Sequence, residues 1–492
     1  QRWRYLASWG DWLIVGAYPH LFDDQKPGRT GNWNATSSEF LLVMNRHTGE
    51  IQWVHQAHYG FRHNAIATAQ GRTFVMDNLS EEILALLARR GIEPDIRPEI
   101  RALDLHTGRV LWSYSDQVFG TWLSYSEEED LLLQCGRRGG RGAPEDEPRD
   151  QMMVLRGRDG VDLWRRSERH TGPVGLHASQ KRIIAGQNER SLDMLTGEPH
   201  MRRNPISQVE ELWRFNRTYG CGTQNVSRYL ITFRSGAAGY YDLYQEGGTG
   251  NLSGFRSGCT NNLVAADGVL NAPDYTRTCS CSYQHQTSLA LVHRPEVEMW
   301  TYNTLSDPES GSIRQVGINF GAPGSRLEEG LLWVNYPPAR YAPTPRIPLH
   351  LDTGDNSAWF LRHALEVQAD TGGYAWVAAS GVQGVRGIRL EGLFDGDDPA
   401  GGMCYTVRLH FAEPEDIETG QRVFDVNLQD NRVLKDFDIV ARAGGSNRAV
   451  VTEFRGIRPD AERQMKVEFL SAAGSTLPPL ICGVDIRLEE RQ

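Results

Sequence analysis

Residues 219–293 combine many arginine, tyrosine and asparagine side chains with short strand-like runs. Eliminating a sugar bond beside a uronate needs a cation that neutralises the carboxylate and a Tyr or His that moves a proton. Seven residues are of those types: His63, Tyr219, Arg234, Tyr240, Arg256, Tyr275 and Arg277. They are the catalytic candidates for polysaccharide lyase chemistry, and we expect the three arginines to point into one pocket.

Other side chains of the same segment are suited to binding substrate hydroxyl groups. They are Asn261, Asn262, Asn271, Asp274 and Tyr283. Asn271 and Asp274 are also of the types that ligate calcium, although Asn-x-x-Asp is a common turn sequence. The alternative for the whole set is that these side chains brace long loops through hydrogen bonds.

Four of the seven cysteines belong to the same region: Cys221, Cys259, Cys279 and Cys281. Cys221 and Cys259 each begin the innermost strand of a repeat unit, so we expect them to lie near each other and near the other two. Four converging thiols could form two disulfides, a soft-metal site or a redox pair. We favour disulfides, because a secreted protein matures in an oxidising compartment.

Composition narrows the class of protein. The chain has 492 residues, enough for at least two cores, and its formal net charge of −10 disfavours nucleic acid or anionic lipid as a partner. Its apolar runs are far shorter than the roughly 20 residues of a membrane helix. The opening sequence is strand-like, which favours a mature terminus or a cut fragment. The favoured disulfides go with an oxidising compartment, and we expect a secreted or periplasmic protein.

A repeat organises the first three hundred residues. Residues 45–53 align with 104–112, and weaker copies lie at 158–164 and 193–197, the last with Met201 where Trp would stand. In each copy Asn or Asp ends a strand, Thr-Gly makes a tight turn, and a large apolar residue packs between neighbouring sheets. Two further units keep the strand pattern, the last ending at residues 299–301. Six four-stranded units predict an all-β fold containing a β-propeller.

The repeat resembles that of quinoprotein-like propellers. The blades of that family carry the motif Ala-x-Asp-x-x-Thr-Gly-x-x-x-Trp, and residues 102–112 match it at every fixed position. The resemblance covers residues 1–305 and implies seven or eight blades, of which six are visible. It also implies an alternative function, a pyrroloquinoline quinone-dependent sugar or alcohol dehydrogenase with calcium. The Cys-Ser-Cys of residues 279–281 departs from the adjacent Cys-Cys pair of many such dehydrogenases.

The longest insertions all lie between the second and third strands of their repeat units. A helix is predicted after Ser80, between the second and third strands of its unit, and residues 18–38, 136–150 and 273–287 lie in equivalent positions. Equivalent loops of a propeller emerge on one face, so these should wall a pocket over the axis.

A second domain follows a linker at residues 306–311. Alternating runs at residues 405–413, 422–428, 433–439, 465–469 and 480–486 predict a β-sandwich or jelly roll. Residues 312–490 resemble the malectin family of carbohydrate-binding domains, on residues 318–321, 407–413, 424–426, 436–439 and the closing strand. Cys482 departs from the Asn usual there. From chemistry alone, Tyr336, Tyr341 and Trp359 are candidates for stacking on sugars, against the alternative that they are half-buried aromatics.

Three functions remain open at this point. They are a polysaccharide-degrading enzyme with lyase-type chemistry, which we favour, a quinone-dependent dehydrogenase, and a glycan-binding or scaffold protein without catalysis. The malectin resemblance implies a polysaccharide or glycan partner in all three.

Overall fold

The structure is a computed structural model. It describes residues 3–18, 36–79, 84, 87–93, 95–136, 150–167, 174–185, 190–217, 224–252, 254–255, 263–273, 288–294, 299–339, 343–370, 373–394 and 403–489. The protein is all-β, with propeller-type sheets followed by a β-sandwich. Residues 84 and 87–89 are helical, where the sequence predicts a helix. In the described part of the chain no helix is long and apolar enough to cross a membrane.

The first sheet contains two consecutive blades. Its strands are β1 (Trp3–Trp9), β2 (Trp12–Ala17), β3 (Ser37–Asn45), β4 (Ile51–Ala69), β5 (Arg72–Asp77), β6 (Glu99–Asp104) and β7 (Val110–Tyr114). The long strand β4 belongs to both blades, because its first part pairs with β3 and its last part with β5. Blade 1 is therefore β1 to β4, and blade 2 runs from the end of β4 to β7.

Blades 3 and 4 follow the same antiparallel order. Blade 3 is β8 (Trp122–Ser126), β9 (Leu131–Cys135), β10 (Met152–Arg156) and β11 (Asp162–Arg166). Blade 4 is β12 (Gly175–His177), β13 (Arg182–Ile184) and β14 (Ser191–Asp193), followed by a hairpin of β15 (Met201–Arg203) and β16 (Glu210–Leu212). The innermost strands contact one another in the order β4, β8, β12, β17, as in a propeller.

Among the described residues, the sheet of blade 5 has five strands and that of blade 6 has three, whereas the sequence predicts four in each. Blade 5 is β17 (Asn225–Val226), β18 (Leu230–Ser235), β19 (Ala237–Asp242) and β20 (Thr249–Asn251), and blade 6 is β21 (Val264–Ala266), β22 (Val269–Ala272) and β23 (Leu289–Val292). The next strand, β24 (Thr301–Tyr302), was predicted to complete the sixth unit. It pairs instead with β20, so the chain returns to the outer edge of blade 5 before it enters the sandwich.

The repeated turns work by side-chain capping. Asp104 Oδ1 accepts hydrogen bonds from the backbone N–H groups of His106, at 3.1 Å, and Thr107, at 2.8 Å. Gly108 follows with φ +72°, a conformation that residues with a Cβ adopt at a cost. Trp53 of the preceding blade packs on this glycine and donates its Nε1–H to Leu105 O at 2.7 Å. Each such contact fastens one blade to the next.

The sandwich has two six-stranded sheets. The first has the order β26 (Arg326–Glu328), β27 (Leu331–Tyr336), β25 (Gln315–Phe320), β36 (Gly483–Leu488), β30 (Tyr405–Phe411), β33 (Val450–Ile457). The second has the order β28 (Leu349–Leu361), β29 (Ser380–Leu390), β34 (Met465–Ser471), β31 (Val423–Leu428), β32 (Asn431–Asp438), with β35 (Leu480–Ile481) on β29. Two short helices, Ala375–Ala378 and Ile439–Ala443, lie in its connections, and 3₁₀ turns occur at Ala178–Gln180 and Ala364–Glu366.

One residue of the propeller belongs to the core between these sheets. Ile206, in the turn between β15 and β16, is fully buried in the same cluster as Val316, Leu409 and Val467. Its carbonyl accepts backbone hydrogen bonds from Arg314 at 3.0 Å and Gln315 at 3.1 Å. The two parts of the chain therefore share apolar packing.

Candidate functional site

Two of the three aromatic residues proposed for sugar stacking lie side by side on the sandwich. Tyr336 ends β27 and Trp359 lies near the end of β28, and their ring centroids are 6.5 Å apart with planes inclined by 36°. Trp359 is 46% exposed, while Tyr336 is half-buried and touches Phe320 edge-on. Tyr341 lies outside the described residues. A half-exposed indole beside a second aromatic ring offers an apolar surface, which suits the C–H face of a sugar.

The strand that carries Trp359 is held close to its neighbour by a glycine. A Cβ on Gly381 would lie 2.6 Å from both the Phe360 ring and the Ile481 carbonyl oxygen. Because no larger residue fits there, the glycine allows β28 to lie close to β29, and Trp359 pairs with Val382 across the two strands.

A buried ion pair stabilises the loops at the same end of β29. Arg422 is 1% exposed and donates to both carboxylate oxygens of Glu413, at 2.7 and 3.2 Å. It also donates to Gln383 Oε1 at 3.3 Å, and the Gln383 amide donates to Glu415 at 2.9 Å. Gln383 lies opposite Ala358, one residue before Trp359, and the Glu415 side chain is 46% exposed. Amide and carboxylate groups of this kind bind hydroxyl groups.

A wide groove opens on the second sheet. A bulge at residues 354–357 interrupts the pairing of β28 with β29, and the groove of about 720 Å³ lies between this bulge and the loop at residues 475–479. Its polar lining includes Asp355, Asn356, Arg386 and Glu468.

Of the propeller candidates, Arg234 and Tyr240 are neighbours in blade 5. Arg234 lies in β18 and Tyr240 in β19, and they are 1% and 7% exposed. The Tyr240 hydroxyl donates to Met299 Sδ at 3.3 Å. Burial, followed by the charge of Asp242, raises the pKa of Tyr240 to about 12. Neither side chain is open to a polymeric substrate in this structure.

His63 lies in the first sheet, where β4 passes between blades 1 and 2. Its Nε2 is 2.7 Å from Ser38 Oγ and its Nδ1 is 3.1 Å from Thr36 Oγ1. Burial, together with the positive charges of Arg4 and Arg62, lowers the pKa of His63 to about 4. His63 is therefore neutral at neutral pH, in a different sheet from Arg234 and Tyr240.

The remaining propeller candidates are less informative. Asn271 is exposed in β22, with its Nδ2–H donating to Val264 O at 3.4 Å. The predicted site residues Tyr219, Arg256, Tyr275, Arg277, Asn261, Asn262, Asp274 and Tyr283, and the cysteines Cys221, Cys259, Cys279 and Cys281, lie outside the described residues. Within the described ranges, no three His, Cys, Asp or Glu side chains are grouped to hold a metal ion. Cys404 and Cys482 are free thiols, Cys135 is buried at the end of β9, and burial raises the pKa of Cys482 to about 12.

Sequence reasoning missed a charged cluster on the outer face of the first sheet of the sandwich. Asp485 accepts hydrogen bonds from Arg408 Nε, at 3.0 Å, and contacts His410 Nε2 at 2.7 Å. Burial alone would raise the pKa of Asp485, but the hydrogen bond with His410 and the nearby positive charges hold it below its usual range. Trp333 covers His410 edge-on with ring centroids 5.0 Å apart. The sequence signal for this cluster is the alternation of the polar residues Arg408 and His410 with the buried Leu409.

Comparison with known proteins identifies part of the sandwich. Residues 401–474 match the family model of the malectin domain. A probable leucine-rich repeat receptor-like serine/threonine-protein kinase of Arabidopsis thaliana is 33% identical over 94 residues, which are 17% of this chain and 9% of that protein. The chain thus spans about a tenth of the length of this curated relative.

Solved structures resemble parts of the chain at low identity. BamB from Moraxella catarrhalis has a TM-score of 0.32 at 13% identity, over 54% of this chain and 65% of BamB. The ANXUR2 extracellular domain from Arabidopsis thaliana has a TM-score of 0.28 at 13% identity, over 36% and 49% of the two chains. A beta-glucuronidase of Bacteroides uniformis has a TM-score of 0.26 at 15% identity, over 36% and 18%. The malectin match is the finding that points to carbohydrate binding.

Proposed function

We propose that the chain is a secreted or periplasmic glycan-binding protein whose sandwich holds a sugar against Trp359. The carrying observation is that Trp359, which is 46% exposed, lies beside Tyr336 on the sandwich that contains the malectin match. Glycan binding by a rigid aromatic platform needs little rearrangement, because Gly381 and the buried Arg422–Glu413 pair already fix the strands and loops around it.

The proposal is tested by titrating the whole chain with neutral oligosaccharides in a calorimeter. Replacing Trp359 with Ala removes the stacking surface, and we expect affinity to fall at least about tenfold, or ~1.4 kcal/mol. Trp3→Ala is the matched control, because Trp3 is 48% exposed on the propeller. Equal affinities for the wild type and Trp359→Ala would refute the platform, and an equal loss in Trp3→Ala would show a general effect.

Whether the protein also cleaves the glycan it binds stays a prediction. Lyase activity on uronic acid polymers would produce an unsaturated sugar with new ultraviolet absorbance. The quinone-dependent alternative would show the chromophore of bound pyrroloquinoline quinone with calcium. The described residues favour neither the lyase nor the dehydrogenase activity, since Arg234 and Tyr240 are buried and His63 lies in another sheet.

A further inference from the structure

A second pocket lies where the propeller meets the sandwich. It has a volume of about 210 Å³ and is bounded by the β15–β16 hairpin, the turn after β19 and the edge of the sandwich. Its more buried lining, the floor, is formed by Leu305, Leu327 and Leu332 with the amide of Asn303, and its exposed rim carries Arg203, Tyr244 and Gln245. Typical small-molecule pockets measure roughly 300–1,000 Å³, so this one is suited to a single sugar-sized group.

The charges around the pocket leave one cation available. Arg202 is paired with Glu211 at 2.9 Å, and Glu246 is paired with Arg182 at 2.9 Å. Arg203 is exposed, and within the part of the chain that the structure describes its guanidinium has no carboxylate at ion-pair distance, although Glu210 is its cross-strand neighbour. An anionic group entering the pocket would therefore meet an uncompensated guanidinium, which binds carboxylates through two parallel hydrogen bonds.

An aromatic ring stands at the same rim. Tyr244 is 84% exposed, and its backbone is held by Asp242, whose Oδ1 accepts hydrogen bonds from the backbone N–H groups of Tyr244 at 2.7 Å and Gln245 at 3.0 Å. The opposite wall is fixed by Ile206, which is anchored in the sandwich core. The pocket is thus held from both sides without a ligand, which lowers the entropy cost of binding.

We infer that this junction pocket binds one carboxylate-bearing sugar residue, a uronate. Arg203 would pair with the carboxylate, the Tyr244 ring would cover the C–H face, the Gln245 amide would bind a hydroxyl group, and the leucine floor would take the apolar edge of the ring. The inference rests on the proposed glycan binding for the kind of ligand, and it assigns a site separate from the Trp359 platform.

The two sites are distinguished by titrating the whole chain with glucuronate, with galacturonate oligosaccharides and with their neutral counterparts. We expect Arg203→Gln and Tyr244→Ala each to weaken uronate binding at least tenfold and to leave neutral oligosaccharide binding unchanged. Trp359→Ala should weaken the binding of neutral oligosaccharides and leave uronate binding unchanged. Arg109→Gln is the matched control, because Arg109 is an exposed arginine on a blade 2 turn. Uronate affinity should also fall as salt rises, because the ion pair is exposed.

Two results would overturn the inference. One is uronate affinity in Arg203→Gln within twofold of wild type. The other is acetate or an acidic peptide competing as well as glucuronate, which would make the pocket a general carboxylate site. Failure of neutral oligosaccharides to respond to Trp359→Ala would count against the proposed function and not against the junction pocket.

Discussion

The buried side chain of Ile206 is expected to make the propeller necessary for the full stability of the sandwich. Replacing it with Ala deletes three carbon atoms, and at about 0.8 kcal/mol per buried methylene group this loses about 2.4 kcal/mol of transfer free energy. The cavity left behind adds to that cost, so the free energy of unfolding should fall by about 2–5 kcal/mol. The backbone hydrogen bonds from Arg314 and Gln315 to Ile206 O do not depend on the side chain.

Scanning calorimetry of the whole chain measures this loss. For a domain of 150–250 residues, each kcal/mol shifts the unfolding midpoint by about 2–4 °C, so a drop of several degrees is expected. Ile51→Ala is the control, since Ile51 is 48% exposed in β4. A midpoint in Ile206→Ala no lower than in Ile51→Ala would refute the shared core.

Proteolysis gives a second reading of the same contact. The sequence predicts a stable fragment beginning near residue 312 after cleavage of the linker. Because Ile206 fills the sandwich core, we expect the two pieces of the cleaved wild type to elute together in gel filtration and the pieces of Ile206→Ala to separate. Immediate separation of the wild-type pieces would contradict this expectation.

Three further outcomes follow from local contacts. Gly108→Ala should lower the free energy of unfolding in urea by about 1–3 kcal/mol more than Gly10→Ala. Both glycines have positive φ, but only at Gly108 would a Cβ meet Trp53, at 2.8 Å. Equal losses in the two variants would show that the contact between the blades is loose. Since the pKa of His63 falls from 6.5 to about 4 on folding, the unfolded chain binds more protons, so stability should decline by about 3 kcal/mol from pH 6.5 to 4 through this residue. His63→Gln should flatten that part of the stability profile, and an unchanged slope would exclude His63 as its cause. If the four cysteines of residues 221–281 form disulfides, titration of the denatured, unreduced protein should find three reactive thiols among the seven cysteines, and a count of seven would exclude the bridges.

The regular parts of the fold follow from local sequence rules. Asp104 caps its turn, Gly108 supplies the positive φ, and Trp112 packs on the glycine of the next turn, so residue types alone reveal the blade pattern. The sequence does not predict the turns of the same geometry at Asn204 and Asp242. There, Gln208 and Glu246 stand in the position of the glycine, with φ of +60° and +53°. Their caps are the same, so this turn also forms with a residue other than glycine at the position of positive φ.

Contacts between distant segments were not predictable in the same way. The pairing of β24 with blade 5 depends on which sheet edge is open, and two residues carry no pattern that specifies it. Tyr336 and Trp359 were selected as candidates by residue type alone. Their adjacency depends on how the two sheets of the sandwich meet, which the alternation within each strand does not encode.

The hairpin inserted after blade 4 explains why the junction differs from the other blade contacts. In the first copies of the repeat, Trp packs on the glycine of the next turn, but Met201 occupies the aligned position here and is 46% exposed. Trp213, beyond the hairpin, makes the contact instead, donating its Nε1–H to Glu246 Oε1 at 2.9 Å. The turn of the hairpin reaches the sandwich instead, where Ile206 is buried in the core. One insertion thus supplies both the shared core and the wall of the Arg203 pocket.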